Sequence, residues 1–314
     1  MAKRKTSPAS KNDTKVAAIV ILLFVAAIVL FFIFSKGKES QQVKISAPSE
    51  EAVEPTVRVQ SSVPVETLKP VVESPSEEET VTPEAPENLS GTGGKIAFIL
   101  DDWGQTTTNC KYLKEIHEPL AVSILPGLRH TKDVANCAKL YHKVAMLHLP
   151  LEALHNYDFY PPNYIIKTTM SPSLVSKIVD GDLAQLPSIE GVNNHMGSKA
   201  TGSRNLMKLI FKKLKKRGLF FVDSMTSPDS VCTTLADEVG LTFGKRDVFL
   251  DNVNTREAIT KQIMVLAQKA RHRGYAVAIG HDRHVTMQVL KEEIPWLEKQ
   301  GFEIVSIKTL LKNR

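Results

Sequence analysis

From Lys95 onward the chain alternates short apolar runs with longer amphipathic stretches, and this alternation limits the fold more than any other feature of the sequence. The apolar runs fall at Lys95–Leu100, Leu120–Leu125, Val144–Leu149, Gly191–His195, Leu219–Val222, Val248–Leu250 and Tyr275–Gly280, with a last one near Phe302–Val305. Helical periodicity runs through Arg204–Arg217, Arg256–Arg273 and Val285–Gln300. Strand, helix and strand repeated this often predict a parallel sheet, because parallel neighbours need a crossover and a helix supplies it. Seven or eight such units in the last 220 residues fit an α/β chain closed into a (β/α) barrel better than an open sheet.

The ends of the apolar runs carry titratable groups. Asp101 and Asp102 follow the first run, His148 ends the third, His195 ends the fourth, Asp223 follows the fifth, Asp251 the sixth and His281 the seventh. In a parallel barrel those ends meet on one face, which makes them a candidate site. One Asp behind a strand often only caps the next helix, and Asp102 could do so for a helix starting near Thr106. Six strands ending in this way point to chemistry.

The first third of the chain is of another kind. Residues 1–15 hold Lys3, Arg4, Lys5, Lys11 and Lys15 against Asp13, and Val16–Phe34 is a run of nineteen apolar residues. As a helix it would be roughly 28 Å long, close to the ~30 Å of a bilayer's hydrocarbon. It ends in Phe31-Phe32-Ile33-Phe34-Ser35-Lys36 with no small-x-small cleavage site, so an uncleaved signal anchor is expected over residues 16–34. The basic flank at 1–15 predicts a cytoplasmic N-terminus, with the rest of the chain across a bacterial inner membrane in the periplasm. Residues 37–94 contain eleven Glu, no Asp, four basic residues and seven Pro, and no aromatic residue or Cys. Such a segment cannot bury enough apolar surface to order itself, and reads as a Pro/Glu-rich disordered linker.

The formal charge of +6 is therefore a sum over unlike parts. The linker carries −7, and the folded domain at 95–314 carries +8. On the far side of a membrane that charge excludes nucleic acid as the partner and favours anionic envelope polymers or lipid headgroups. Three Cys cannot staple a disulfide scaffold. Cys110, Cys137 and Cys232 fall in helical stretches, and a Cys110–Cys137 pair requires their helices to be neighbours.

Adjacent carboxylates at Asp101 and Asp102 repel unless a cation or a raised pKa settles them, which fits one ligand and one base. His148 and Glu152 stand four residues apart around Pro150, so they would approach an ion from a strand end and a turn. Imidazole nitrogen with carboxylate oxygen suits zinc or another divalent first-row ion. Asn193-Asn194-His195 packs two amides and an imidazole between Gly191 and Gly197. His281 closes an apolar strand and is placed to deliver a proton.

The strings ILDDWG (99–104), HLPLE (148–152), GVNNHMGS (191–198), FFVDSMTS (220–227), KRDVFLDN (245–252) and AIGH (278–281) resemble, in order, those of the divergent polysaccharide deacetylase family. That family is a branch of the NodB-like carbohydrate-esterase and glycoside-hydrolase barrel superfamily, and the likeness runs from Lys95 to about Leu311. It implies a deformed (β/α)7-type barrel and metal-assisted hydrolysis of an N-acetyl group on a sugar polymer. By position, Asp101 matches the general base, Asp102 the metal carboxylate, His148 the first histidine of the metal pair and His281 the general acid. Glu152 stands where the family has its second metal histidine, so the third ligand is either Glu152 or His195. The Asn193–His195 segment occupies the place of an arginine–proline motif that is not recognisable here. Trp103, Asn193, Asn194, Asp223, Arg246 and Asp251 are expected to meet substrate, and the expected cofactor is a divalent metal, zinc first. The alternative is a catalytically inactive metal- or glycan-binding envelope module that acts through a protein partner.

Overall fold

The strand β1 (Lys95–Trp103) organises the domain, since three other strands pair with it. The computed structural model describes residues 93–155 and 164–312, so the expected basic tail, membrane anchor and nearly all of the linker lie outside the described residues. Among the described residues no helix is long and apolar enough to cross a membrane. The other strands are β2 (Leu120–Ile124), β3 (Val144–Leu151), β4 (Gly191–Met196), β5 (Phe220–Asp223), β6 (Phe243–Lys245), β7 (Val248–Phe249), β8 (Tyr275–His281) and β9 (Glu303–Ile304). Every pairing is parallel, in the order β6-β5-β4-β3-β2-β1-β8-β7, with β9 beside the start of β1.

The two ends of that order belong to one stretch of chain. β6 pairs with β5 and β7 with β8, and only Arg246 and Asp247 separate β6 from β7. Arg246 N–H donates to the Asp223 carbonyl and Asp247 N–H to that of Val277. Residues 243–249 thus serve one neighbour with their first half and the other with their second. The sequence reading found only Val248–Leu250 and missed Phe243–Lys245, because three residues are too few to show a period of two.

Outside the strands lie α1 (Cys110–Glu115), α2 (Thr131–Leu140), α3 (Pro172–Gln185), α4 (Arg204–Lys216), α5 (Cys232–Val239), α6 (Arg256–Arg273) and α7 (His284–Lys299), with α8 (Ile307–Lys312) last. The amphipathic stretches at 204–217, 256–273 and 285–300 form α4, α6 and α7 as expected, within a residue at each end. Thr255 caps α6 by accepting from Ala258 N–H, and Gly274 ends it in the left-handed region.

Pleat alternation divides the core in two. Ile96, Phe98 and Leu100 of β1 pack in the larger cluster with the outer helices, whereas Ala97 and Ile99 join Ala121, Met146, Val222, Val277 and Ile279 with Ile307, Leu310 and Leu311 of α8. The second cluster covers the inner face of the curved sheet, whose end strands β6 and β7 do not pair, so the expected closure is not completed by a ladder. Each inner series continues upward into a polar residue: 97, 99 and then Asp101; 121 and then Ser123; 146 and then His148; 277, 279 and then His281. A polar layer thus lies on an apolar plug.

One helix breaks the pattern. Asp182 sits on the buried stripe of α3 with Val175, Val179 and Leu183, is 3% exposed, and its Oδ2 has no hydrogen-bond partner among the described residues. Burial pushes its carboxyl up to about 7. The folded state therefore keeps a proton that the unfolded chain releases near the ordinary 3.8, so stability falls as pH rises from about 4 to about 7. Asp182→Asn is expected to flatten that slope and to raise stability at pH 8 by about 2–4 kcal/mol. Urea midpoints from pH 4 to pH 8 check it, and parallel curves for the two proteins would contradict it.

Candidate active site and metal centre

Asp101 and Asp102 do not follow the first strand but lie inside it. The β1–β2 register shifts between Leu100 and Trp103, and Asp102 takes a φ of 64°. Regular alternation would turn Asp102 outward with Leu100. The extra residue instead turns it to the inner face with Asp101 and leaves the outward position to Trp103, which is fully buried among the helices. Two sequence neighbours thereby serve one site.

His148 and His195 come from β3 and β4, where His148 lies opposite Asn193 and Pro150 opposite His195. Their rings meet edge to face at 4.9 Å between centroids. Asp102 Oδ1 has His148 Nε2 at 3.2 Å and His195 Nδ1 at 3.0 Å. One ligand atom from each of these three residues lies within 4.8 Å of the others. Two imidazole nitrogens and a carboxylate oxygen gathered this closely make a donor set that suits zinc-like ions. The residues fit a divalent metal.

Asn193 fixes the ring states. Its side-chain oxygen accepts from the Ser123 hydroxyl and from His148 Nδ1 (2.8 Å), which leaves His148 Nε2 to face Asp102. Its amide nitrogen donates to Asp101 Oδ1 at 2.8 Å. Burial raises the Asp101 carboxyl above its usual range, against the opposing pull of His148 and Asn193. Burial alone would also raise Asp102, but the pull of His148 and His195 outweighs it and holds that carboxyl far down.

On the other side, His281 Nδ1 bonds Asp251 Oδ1 at 2.8 Å, and its Nε2 comes within 3.8 Å of Asp102 Oδ2. Thr286 Oγ1 and His281 N–H both donate to Asp251 Oδ2, so the carboxylate is clamped. Burial would lower the His281 pKa, but Asp251 outweighs it and raises it. Side-chain exposure is 37% at Asp102, 19% at His195 and 18% at His281, against about 3–4% at Asp101 and His148. A substrate therefore approaches from the side of the first three.

The family model of divergent polysaccharide deacetylases matches residues 98–311, about two thirds of the chain. The chain belongs to that family. Two relatives are each 28% identical to it: the uncharacterized protein YibQ of Escherichia coli strain K12, and an uncharacterized protein of Haemophilus influenzae. The first match covers 64% of this chain and 62% of the relative, and the second covers 72% and 80%. A crystal structure of the uncharacterized protein ATU2773 from Agrobacterium tumefaciens is 18% identical and superposes with a TM-score of 0.67 over 70% of this chain and 90% of its own. That likeness concerns the fold.

In this deacetylase-family chain several expected site residues have other duties. Glu152 does not join the cation cluster: its Oε2 accepts from Thr168 N–H and Oγ1, and its Oε1 meets Lys199 Nζ at 2.9 Å. Trp103, Asn193, Asn194, Asp223 and Asp251 are at most 1% exposed, so none lines an open surface. Asp223 accepts from Met225 N–H and Ser230 Oγ, while Asn194 bridges the Met196 carbonyl and Ser224 N–H. Arg246 is half-buried, donates to the carbonyls of Ser224 and Met225, and lies over the Phe249 ring, which in turn abuts His281. Sequence reasoning missed Ser123 and Thr286. The alternation Ala121–Ser123 was the signal for the first; nothing local marks the second.

Proposed function

We propose that this protein is a membrane-anchored, metal-dependent hydrolase that removes N-acetyl groups from an envelope polysaccharide such as peptidoglycan or a related N-acetylhexosamine polymer. The anchor would be residues 16–34 and the barrel would work in the periplasm. The observation that carries the reading is the convergence of Asp102, His148 and His195 beside Asp101 and His281. Asp102, His148 and His195 would hold the cation, with zinc the first candidate. Such an ion polarises the acetamide carbonyl and makes water acidic enough to attack near neutral pH.

The chain's own residues do the rest. Asp101, held by Asn193 with its pKa raised by burial, takes a proton from the attacking water. His281, whose Nδ1–H is committed to Asp251, offers Nε2 on the open side and protonates the departing amine. The amine left on the sugar is charged near neutral pH, so the polymer becomes more cationic.

Full-length protein loaded with zinc or cobalt and given N-acetylated peptidoglycan or chitooligosaccharide is expected to release acetate, and chelation is expected to stop it. Metal uptake at one equivalent with no acetate from either substrate would replace this reading with the binding-module alternative. A second expectation follows from Asp251. His281 must be protonated to act, so activity falls as pH rises through its raised pKa. Asp251→Asn removes the group that raises it and should move that falling limb to lower pH by about one unit. A limb that stays in place would show that another group sets it.

A further inference from the structure

We propose that Asn194 is a positioning residue: its side-chain amide stands in for the ladder that β4 and β5 lack at their C-terminal ends, and so aims His195 at the cation site. The inference rests on the reading of Asp102, His148 and His195 as metal ligands. The β4–β5 ladder pairs Gly191 with Phe220, Val192 with Phe221 and Asn193 with Val222, and stops there. On the other side β3 stays paired to β4 as far as Leu151 and Met196. His195 therefore stands on a stretch of strand whose backbone ladder continues on the β3 side alone.

Side chains take over where the ladder ends. Asn194 alternates with His195 and so turns to the opposite face of the sheet, where it is buried. Its Oδ1 accepts from the N–H of Ser224, the first residue past β5, at 2.9 Å. Its Nδ2 donates to the Met196 carbonyl at 2.7 Å, and the same carbonyl accepts from Thr226 Oγ1 at 3.0 Å. The residues on either side of His195 are thus both tied to the segment that follows β5. Met196 has a φ of 54° and Met225 a φ of 51°, in the left-handed region where a side chain is costly. Such a conformation persists only where its surroundings hold it. At Met196 the holders are the amide of Asn194 and the hydroxyl of Thr226. Without them Met196 relaxes toward extended backbone and draws the His195 ring away from Asp102 Oδ1, which its Nδ1 faces at 3.0 Å.

The test uses full-length protein with zinc and cobalt as probes, and needs no acetate release. Asn194→Ala is expected to weaken zinc binding by about 10–100-fold and to alter the visible absorption of bound cobalt. A residue that served stability alone would move neither below the melting temperature. In the metal-free protein the Ser224 amide, whose acceptor is Asn194 Oδ1, should exchange about tenfold faster. Should Asn194→Ala not fold, Thr226→Val removes only an exposed hydroxyl from the Met196 carbonyl and should weaken zinc by about threefold. Unchanged Ser224 exchange in Asn194→Ala overturns the substitute rung. One equivalent of zinc bound by the unaltered protein, with the same affinity in both variants, overturns the aiming of His195 and leaves the metal centre standing. No zinc on the unaltered protein overturns the metal centre, and the aiming with it.

Discussion

His148→Ala is expected to empty the metal centre and to lower acetate release by about three orders of magnitude, the loss of the several kcal/mol that a bound cation contributes to acyl-group hydrolysis. His148 Nε2 stands 3.2 Å from Asp102 Oδ1 and 3.7 Å from Asp101 Oδ2, so its removal would strip one of the three proposed ligands and also bring the two carboxylates' repulsion into the open. Metal content measured by mass spectrometry should fall well below one equivalent. His117, exposed in the stretch between α1 and β2 and outside the cluster of possible ligands, gives the control: His117→Ala should keep both metal and rate. Full occupancy in His148→Ala would refute the ligand assignment.

Asn193→Ala is expected to be strongly destabilising. It leaves Asp101 Oδ1, His148 Nδ1 and the Ser123 hydroxyl each short of a partner in a fully buried layer. Stranded buried polar groups cost about 1–3 kcal/mol each, and within one network their costs couple, so a loss of about 3–5 kcal/mol is expected. For a domain of this size that lowers the melting temperature by about 10 °C. Metal affinity should also weaken by about 10–100-fold, because His148 loses the bond that fixes its ring. Thermal melts and metal titrations test both, and a shift under about 2 °C would mean that water replaces the amide without loss.

Much of this was visible in the residues. The alternation of strand and helix gave the layer architecture, and the family strings gave Asp101, Asp102, His148 and His281 their expected places. The third ligand was not decidable from spacing, because Glu152 follows one apolar run and His195 ends the next. The pleat separates the two: His195 continues the inward series through Asn193 toward Asp102 and His148, whereas Glu152 lies just beyond the end of β3 and is taken by Thr168, a neighbour that only the fold supplies. The same limit explains the polar residues expected at substrate. Sequence marks them as unusual but cannot distinguish a residue that touches a ligand from one that holds another residue still. The bulge at Asp102 was equally hidden, since one extra residue in a strand changes no local composition.

The seam at residues 243–249 has a consequence for how the domain can be cut. Elsewhere neighbouring strands are joined by ladders and linked through helical crossovers, but at the seam only the covalent backbone through Arg246 and Asp247 carries the sheet from one neighbour to the other. A permuted chain with its new termini there would keep every helix and every pairing, because no ladder joins β6 to β7. Its two outermost strands would then be tethered to nothing but β5 and β8, and such loosened margins invite a second molecule to zip on.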